Sequence, residues 1–243
     1  MTARAASIEE TLALAIRHVN ASQPERARQI CESALSSHPP HAAVLQLLAL
    51  LCLKDGQLAR AGECIGASIA LRPDHGPSLL VAGDAARAIG DHQAALVHHT
   101  RARNLLPDRA ESAHALGLSL QACGRLTDAQ LELTHAVVLA PGRAEAWFDL
   151  ALVRQDLHDF NGAVVALQTV LQLAPARAEV EVNLGIVLQE AGRLDDALRA
   201  YGRAYRMRED TFGRIAHALS TPDAGCLWLD LDVLRSVLRG LPA

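Results

Sequence analysis

Ala178–Tyr205, AEVEVNLGIVLQEAGRLDDALRAYGRAY, holds two amphipathic halves on either side of Ala191-Gly192-Arg193. Leu184, Gly185 and Leu188 mark the first half; Ala197, Tyr201 and Ala204 mark the second. Spacings of three and four residues put these positions on one face of a helix. Gly192 stands where the first helix must end, because glycine enters the left-handed conformation without a Cβ penalty. Asp195 and Asp196 fall in the first turn of the second half, where negative charge suits the unpaired N–H groups. The stretch predicts a helix–turn–helix hairpin, and a lone hairpin cannot bury its apolar face.

The rest of the chain repeats the hairpin at a fixed step. Prolines stand at 39, 73, 107, 141 and 175, each 34 residues after the last. Gly56, Gly90, Gly124 and Gly192 form a second ladder with the same step, in which His158 and Ser22 occupy the rungs without glycine. Ala27, Ala61, Ala95, Ala129, Ala163 and Ala197 form a third. Alanine is abundant here, so one coincidence would mean little. Six in register with two other ladders signal a repeat array. The ruler cuts units at 8–41, 42–75, 76–109, 110–143, 144–177 and 178–211. Their eighth position is always small (Ala15, Ala49, Gly83, Gly117, Ala151, Gly185), which lets helix axes approach closely. Each proline follows a second helix and stops it. Asp91, Thr127, Asp159 and Asp195 lie at or near the starts of second helices, where short polar side chains cap. Pro24 and Pro77 fall near helix starts, where a missing N–H costs little.

This pattern resembles the tetratricopeptide repeat, a helical hairpin with the signature W-x2-L-G-x2-Y, then A-x3-F, then A and P. Trp147-x2-Leu150-Ala151 matches its opening in the fifth unit; Leu184-Gly185, Ala197, Tyr201 and Ala204 match it in the sixth. The aromatic positions are mostly replaced, the eleventh reading His18, Cys52, Ala86, Leu120, Arg154 and Leu188. The resemblance covers residues 8–211. It implies an all-α fold: a right-handed α-solenoid of about six 34-residue helix–turn–helix repeats, with first helices lining a concave groove. The expected organisation is an array over 1–211 and a C-terminal helical cap over 212–243. Repeat arrays need a terminal element to cover the last apolar face. Here Glu209 replaces the proline of the ruler, Thr211–Ser220 begins a first helix that Pro222 cuts short, and a last helix is expected over Leu231–Arg239. Asp230 would be its N-cap and Gly240 its stop, with Trp228 and Leu234 packing onto the sixth unit.

Half of the 243 residues are hydrophobic but only 3% are aromatic, a balance that favours helices over sheets. A net charge of −4 without a basic stripe argues against nucleic acid as a partner. The cysteines (Cys31, Cys52, Cys64, Cys123, Cys226) form no C-x-x-C pair, which reads as free thiols in a reducing compartment. The first twenty residues lack the apolar run of a signal peptide, and Val44–Leu53 ends at Lys54 and Asp55, short of a membrane span. A cytoplasmic protein is the expectation.

The resemblance places groove residues at the second, fifth, sixth, ninth, twelfth and thirteenth positions of each unit. In the N-terminal half these include Leu12, Ile16, Gln46, Leu47, Leu50, Leu53, Leu80, Val81, Asp84, Arg87, His114 and Leu118. In the C-terminal half they include Glu145, Phe148, Asp149, Leu152, Gln155, Asp156, Val182, Asn183, Ile186 and Gln189. The first half reads as apolar and the second as mixed and acidic. The competing reading packs the leucines between neighbouring helices. The lysine–asparagine clamp by which some relatives hold a C-terminal carboxylate is absent, but Asn183 matches the N-L-G form that bonds a ligand backbone. An apolar protein or peptide segment with basic residues opposite Glu145, Asp149 and Asp156 fits these positions.

Other side chains offer little chemistry. His98 and His99 are adjacent and face apart on a helix, and His38 and His41 flank a Pro-Pro turn, so neither pair predicts a metal. Asp230 and Asp232 form a D-x-D that helix capping explains. Neither a nucleophile elbow nor a phosphate loop occurs. Arg199, Arg203, Arg206 and Arg208 read as a solvated helix face or a small basic patch. The expectation is a non-catalytic interaction scaffold without cofactor or metal. The alternatives are a regulatory subunit of an enzyme complex, as in bacterial polysaccharide or glycoprotein assembly where related arrays occur, and a scaffold that self-associates as a homo-oligomer.

Overall fold

Every 34-residue unit becomes two helices joined by a tight turn. The computed structural model describes residues 7–220 and 230–241. First and second helices alternate as α1 (Ile8–Asn20), α2 (Pro24–Ser37), α3 (Ala42–Lys54), α4 (Leu58–Leu71), α5 (Gly76–Ala88), α6 (His92–Leu105), α7 (Ala110–Ala122), α8 (Leu126–Leu139), α9 (Ala144–Asp156), α10 (Phe160–Leu173), α11 (Ala178–Glu190) and α12 (Leu194–Met207). A short 3-10 turn (Glu209–Thr211), α13 (Phe212–Leu219) and α14 (Leu231–Gly240) follow. The described residues contain helices and no strand, so the fold is all-α.

The glycine ladder is a ladder of left-handed residues. Gly56, Gly90, Gly124 and Gly192 have φ of 72°, 83°, 72° and 73°, and Ser22 and His158 hold the same conformation at 57° and 60°. After Ser22, Gly56, Gly90, His158 and Gly192 the next N–H reaches back to the helix, as Gln57 N does to Cys52 O (2.8 Å) and Arg193 N to Leu188 O (2.8 Å). This bond satisfies a carbonyl that the helix end leaves without a partner. Asp91 and Asp159 cap α6 and α10, accepting from Ala94 N and Gly162 N. Thr127 and Asp195 do not cap: they lie inside the first turns of α8 and α12, whose N-caps are Arg125 and Arg193.

Contacts divide the chain into two compact units, Met1–Cys123 and Gly124–Ala243. In the first, Ala15, Ala27, Leu48 and Cys52 centre one apolar cluster and Ala49, Ile65 and Val81 another. Burial pushes the Cys31 thiol up to about 11, which makes it a small apolar side chain rather than a nucleophile. In the second unit, one cluster runs from Ala151 through Val180, Leu188 and Tyr201 to Ile215, Leu219, Leu234 and Leu238. Leu234 and Leu238 are fully buried, and α14 packs against α12. Asp230 caps α14 as expected, accepting from Asp232 N and Val233 N. Pro222, Cys226 and Trp228 lie outside the described residues.

Candidate partner-binding site

In the first unit, α3 packs beside α5 and α5 beside α7, so first helices are neighbours. Of the positions read as groove, Leu12, Gln46, Leu47, Leu50, Leu53, Leu80, Asp84, His114 and Leu118 are half-buried, and Ile16 and Arg87 are exposed. Val81 is only 4% exposed and belongs to the core. Leu12, Leu47 and Leu53 pack against the Leu48 cluster, and Leu50 and Leu53 against the Ile65 cluster, so these leucines are shared with the core. Gln46 accepts a bond from Ser78 Oγ (3.3 Å).

Behind Asp84 and Arg87 lies His99, fully buried. Its Nε2 is 3.2 Å from Leu80 O, and its Nδ1 is 2.7 Å from Ser119 Oγ. A carbonyl can only accept, so Nε2 carries the hydrogen and Nδ1 accepts from the hydroxyl. Burial lowers the His99 pKa below 6.5 against the raising effect of Asp84. The ring presses on Gly83, where a Cβ would stand 2.2 Å from Nε2. His99 is a core residue, and among the described residues no group of three or more His, Cys, Asp or Glu is placed to hold a metal.

In the second unit the structure forms a cleft of about 940 Å³. Its apolar surface comes from Leu126, Phe160, Ile186 and Ala218; Gln155, Asp156, Gln189 and Glu190 line it at the ends of α9 and α11; Arg214 and His217 line it from α13. Of the expected groove residues, Gln155, Asp156, Ile186 and Gln189 meet here. Val182 is fully buried instead. Glu145 is exposed beside Arg143 (3.9 Å); Phe148, with the Arg177 guanidinium 5.9 Å from its ring centroid, Asp149 and Leu152 are half-buried.

Two polar side chains expected to meet a ligand are engaged within the chain. Asn183 Oδ1 accepts from Arg214 (2.9 Å), so it anchors α13. Gln189 is buried: its Nε2 donates to Ala218 O (2.8 Å) and its Oε1 accepts from Tyr201 OH (3.1 Å). The arginines of α12 are likewise not a free basic face. Arg203 makes two bonds to the buried Glu181 (2.8 and 2.9 Å), Arg199 pairs with Asp196 (2.7 Å), Arg206 donates to Leu238 O and Leu241 O, and Arg208 binds Glu179 and Asp210. Arg214 faces the cleft from α13 beside His217, which changes the expected acidic half into a cleft with acids on two walls and an arginine on a third. The sequence signal for Gln189 was Tyr201 itself, because a buried phenol requires a hydrogen-bond partner.

The carboxylates of the cleft stand apart from their neighbours. Asp159, Glu181 and Asp196 each have an arginine. Glu190 accepts only the Gln155 amide (2.7 Å), and Asp156 has no ion pair among the described residues. Asp156 is the last residue of α9 and Glu190 the last of α11. Carboxylates there add to the negative ends of two helix dipoles, an arrangement that favours a cation.

Comparison with known proteins agrees with this architecture. Family models of the tetratricopeptide repeat match residues 12–64 and 182–218. No curated protein matches the chain by sequence. Among solved structures, a thermophilic TPR protein in Thermus thermophilus is 22% identical with a TM-score of 0.62, over 75% of this chain and 99% of that one. PilF of Pseudomonas aeruginosa is 16% identical with a TM-score of 0.72, over 83% and 92%. YrrB, described as a TPR protein with an unusual peptide-binding site, is 18% identical with a TM-score of 0.63, over 74% and 93%. At these identities the likeness is one of fold.

Proposed function

Since this chain is built of tetratricopeptide repeats, we propose that it is a non-catalytic interaction protein whose second unit grips a protein or peptide segment in the cleft beside α13. The observation that carries this reading is the pair Asp156 and Glu190. Neither is neutralised by an arginine or lysine among the described residues, and both stand at helix C-termini, above the apolar surface of Phe160 and Ile186. That chemistry suits a partner with an apolar side chain next to a lysine or arginine. The half-buried strip of Leu12, Leu50, Leu53, Leu80 and Leu118 in the first unit is proposed as a second, apolar contact for the same class of partner. The C-terminal helices are proposed to serve two ends: α14 covers α12, and α13 completes the cleft wall. No helix among the described residues is long and apolar enough to cross a membrane.

A displayed peptide library panned against the protein tests the reading. The selected sequences are expected to share an apolar residue flanked by lysine or arginine, and to lose binding to Ile186→Lys and to Asp156→Lys/Glu190→Lys. Leu131→Lys, on an exposed face of α8, should leave binding intact. Undiminished binding to the Ile186 and double variants sinks the proposal.

A further inference from the structure

At the opposite end of the ruler, the third, seventh and tenth positions of the first unit break a rule that every later unit obeys. The third position is Val44, Ser78, Ser112, Ala146 and Val180 in the later units, none more than 1% exposed. The seventh is Leu48, Ala82, Leu116, Leu150 and Leu184, at 0–7%, and the tenth is Leu51, Ala85, Ser119, Val153 and Val187, at 0–6%. Two of them show what buries this stripe: Ser78 meets Ser68 and Ser119 meets His99, each in the repeat before. In α1 the three positions are Glu10, Leu14 and Arg17. All three are exposed among the described residues, Leu14 at 39%. Residues at i, i+4 and i+7 form one stripe along a helix.

A simply solvated helix face would need only polar residues. This stripe instead keeps a leucine between an acid and a base, beside the small Ala13. Its charge order is self-complementary. Turned antiparallel, a second copy of α1 presents arginine–leucine–glutamate to glutamate–leucine–arginine. Glu10 of each copy then meets Arg17 of the other, and the two Leu14 side chains meet at the axis, as a two-fold contact requires. Arg17 has no ion pair among the described residues. Glu10 spends one oxygen on Ser7 N (2.9 Å) in the capping box and keeps the other. Ala13 lets the two axes approach closely.

We infer that α1 is a homodimer edge on which a second copy of this chain pairs antiparallel through Glu10, Leu14 and Arg17. One helix per partner buries less than the 1,200 Å² or so typical of stable complexes, so the dimer is weak and concentration-dependent.

Sedimentation equilibrium of the full chain, from about 10 µM to about 1 mM, covers the range in which such a contact titrates. The wild type is expected to shift from monomer toward dimer, and Leu14→Asp to stay monomeric. Glu10→Arg places arginine against arginine, and Arg17→Glu places glutamate against glutamate, so each alone is expected to be monomeric. An equimolar mixture of these two variants restores both opposite-charge contacts and is expected to dimerise, as is the double swap Glu10→Arg/Arg17→Glu. Rescue on mixing cannot come from repair of the α1 capping box, which Glu10→Arg has lost. A wild type that stays monomeric throughout overturns the inference. So does a dimer indifferent to Leu14→Asp, or a mixture that fails to associate.

Discussion

Gly185→Ala tests the packing rule on which each hairpin depends. The eighth and twenty-fourth positions face each other across the two helices where Gly83 meets His99 and where Gly185 meets Tyr201. At Gly185 a Cβ would stand 2.3 Å from Tyr201 Cε1 and 2.5 Å from Cδ1. Tyr201 is fully buried and cannot swing into solvent. Forcing a methyl into such a core costs about 1–3 kcal/mol. Moving the ring also breaks the Tyr201 OH bond to Gln189, about 1 kcal/mol more. The expected loss is therefore about 2–4 kcal/mol. The chain contains its own remedy: Ala151 faces Leu167 at the same two positions, both buried. Tyr201→Leu alone leaves space beside the glycine and strands Gln189, a loss of about 2–3 kcal/mol. The double variant fills that space with the new methyl. It should be less destabilised than the sum of the singles by about 1–2 kcal/mol, the signature of residues in contact. Urea denaturation followed by circular dichroism at 222 nm measures all four proteins. A Gly185→Ala protein within about 0.5 kcal/mol of wild type, or strict additivity in the cycle, would refute the reasoning.

Three further outcomes are expected. Gly90→Ala meets no atom within 4 Å, so its cost is the left-handed backbone alone, about 1 kcal/mol in the same denaturation experiment; a neutral result removes the conformational reading of the glycine ladder. Well above its ordinary pKa of 6.5, His99 is neutral in both folded and unfolded chains. Because burial holds its folded pKa lower, despite Asp84 and with Arg87 and His98 nearby, the unfolded chain takes up the proton first and stability falls as pH drops below 6.5. His75 and His98 act in the same direction, so His99→Gln should flatten the stability profile between about pH 7 and pH 5 without abolishing its slope; an unchanged slope contradicts the assignment. Asp156→Asn/Glu190→Gln should raise the melting temperature by about 1 °C, by relieving two helix C-termini, while weakening binding of lysine-bearing peptides; a fall in melting temperature would reverse the electrostatic argument.

The hairpins and their turns were legible because they are periodic. The ruler even marked Ser22 and His158 as turn residues, and both adopt the left-handed conformation that glycine supplies at the other rungs. The terminal helix and its Asp230 cap lie beyond the ruler but were legible too, since those are local signals. The site was less legible because its decisive contacts join residues 12–31 positions apart. Asn183 looked like a ligand contact until α13 brought Arg214 against it, and Gln189 until Tyr201 claimed its oxygen. Glu181 was inconspicuous in sequence, yet it is buried under Arg203. Position within a unit says which face a residue occupies; it does not say whether another side chain has already taken it.

That distinction bears on how the second unit would recognise the proposed partner. Exposed ion pairs contribute little stability individually. Their larger effect here is to remove charges from the surface available to a ligand. Arg193 and Arg199 neutralise Asp196, Arg208 neutralises Glu179, and Arg239 binds Glu209. Asp156 and Glu190 are passed over, although each sits at a helix end where a basic residue would be more favourable. A fold selected for stability alone would place lysine or arginine at those two positions. Retaining two acids there, beside Phe160 and Ile186, is a local electrostatic cost whose one structural return among the described residues is the Gln155–Glu190 hydrogen bond, and such costs concentrate at sites that bind something. The sign of the Asp156/Glu190 experiment therefore decides more than affinity: stabilisation together with lost binding identifies these carboxylates as the part of the cleft kept for a cationic partner.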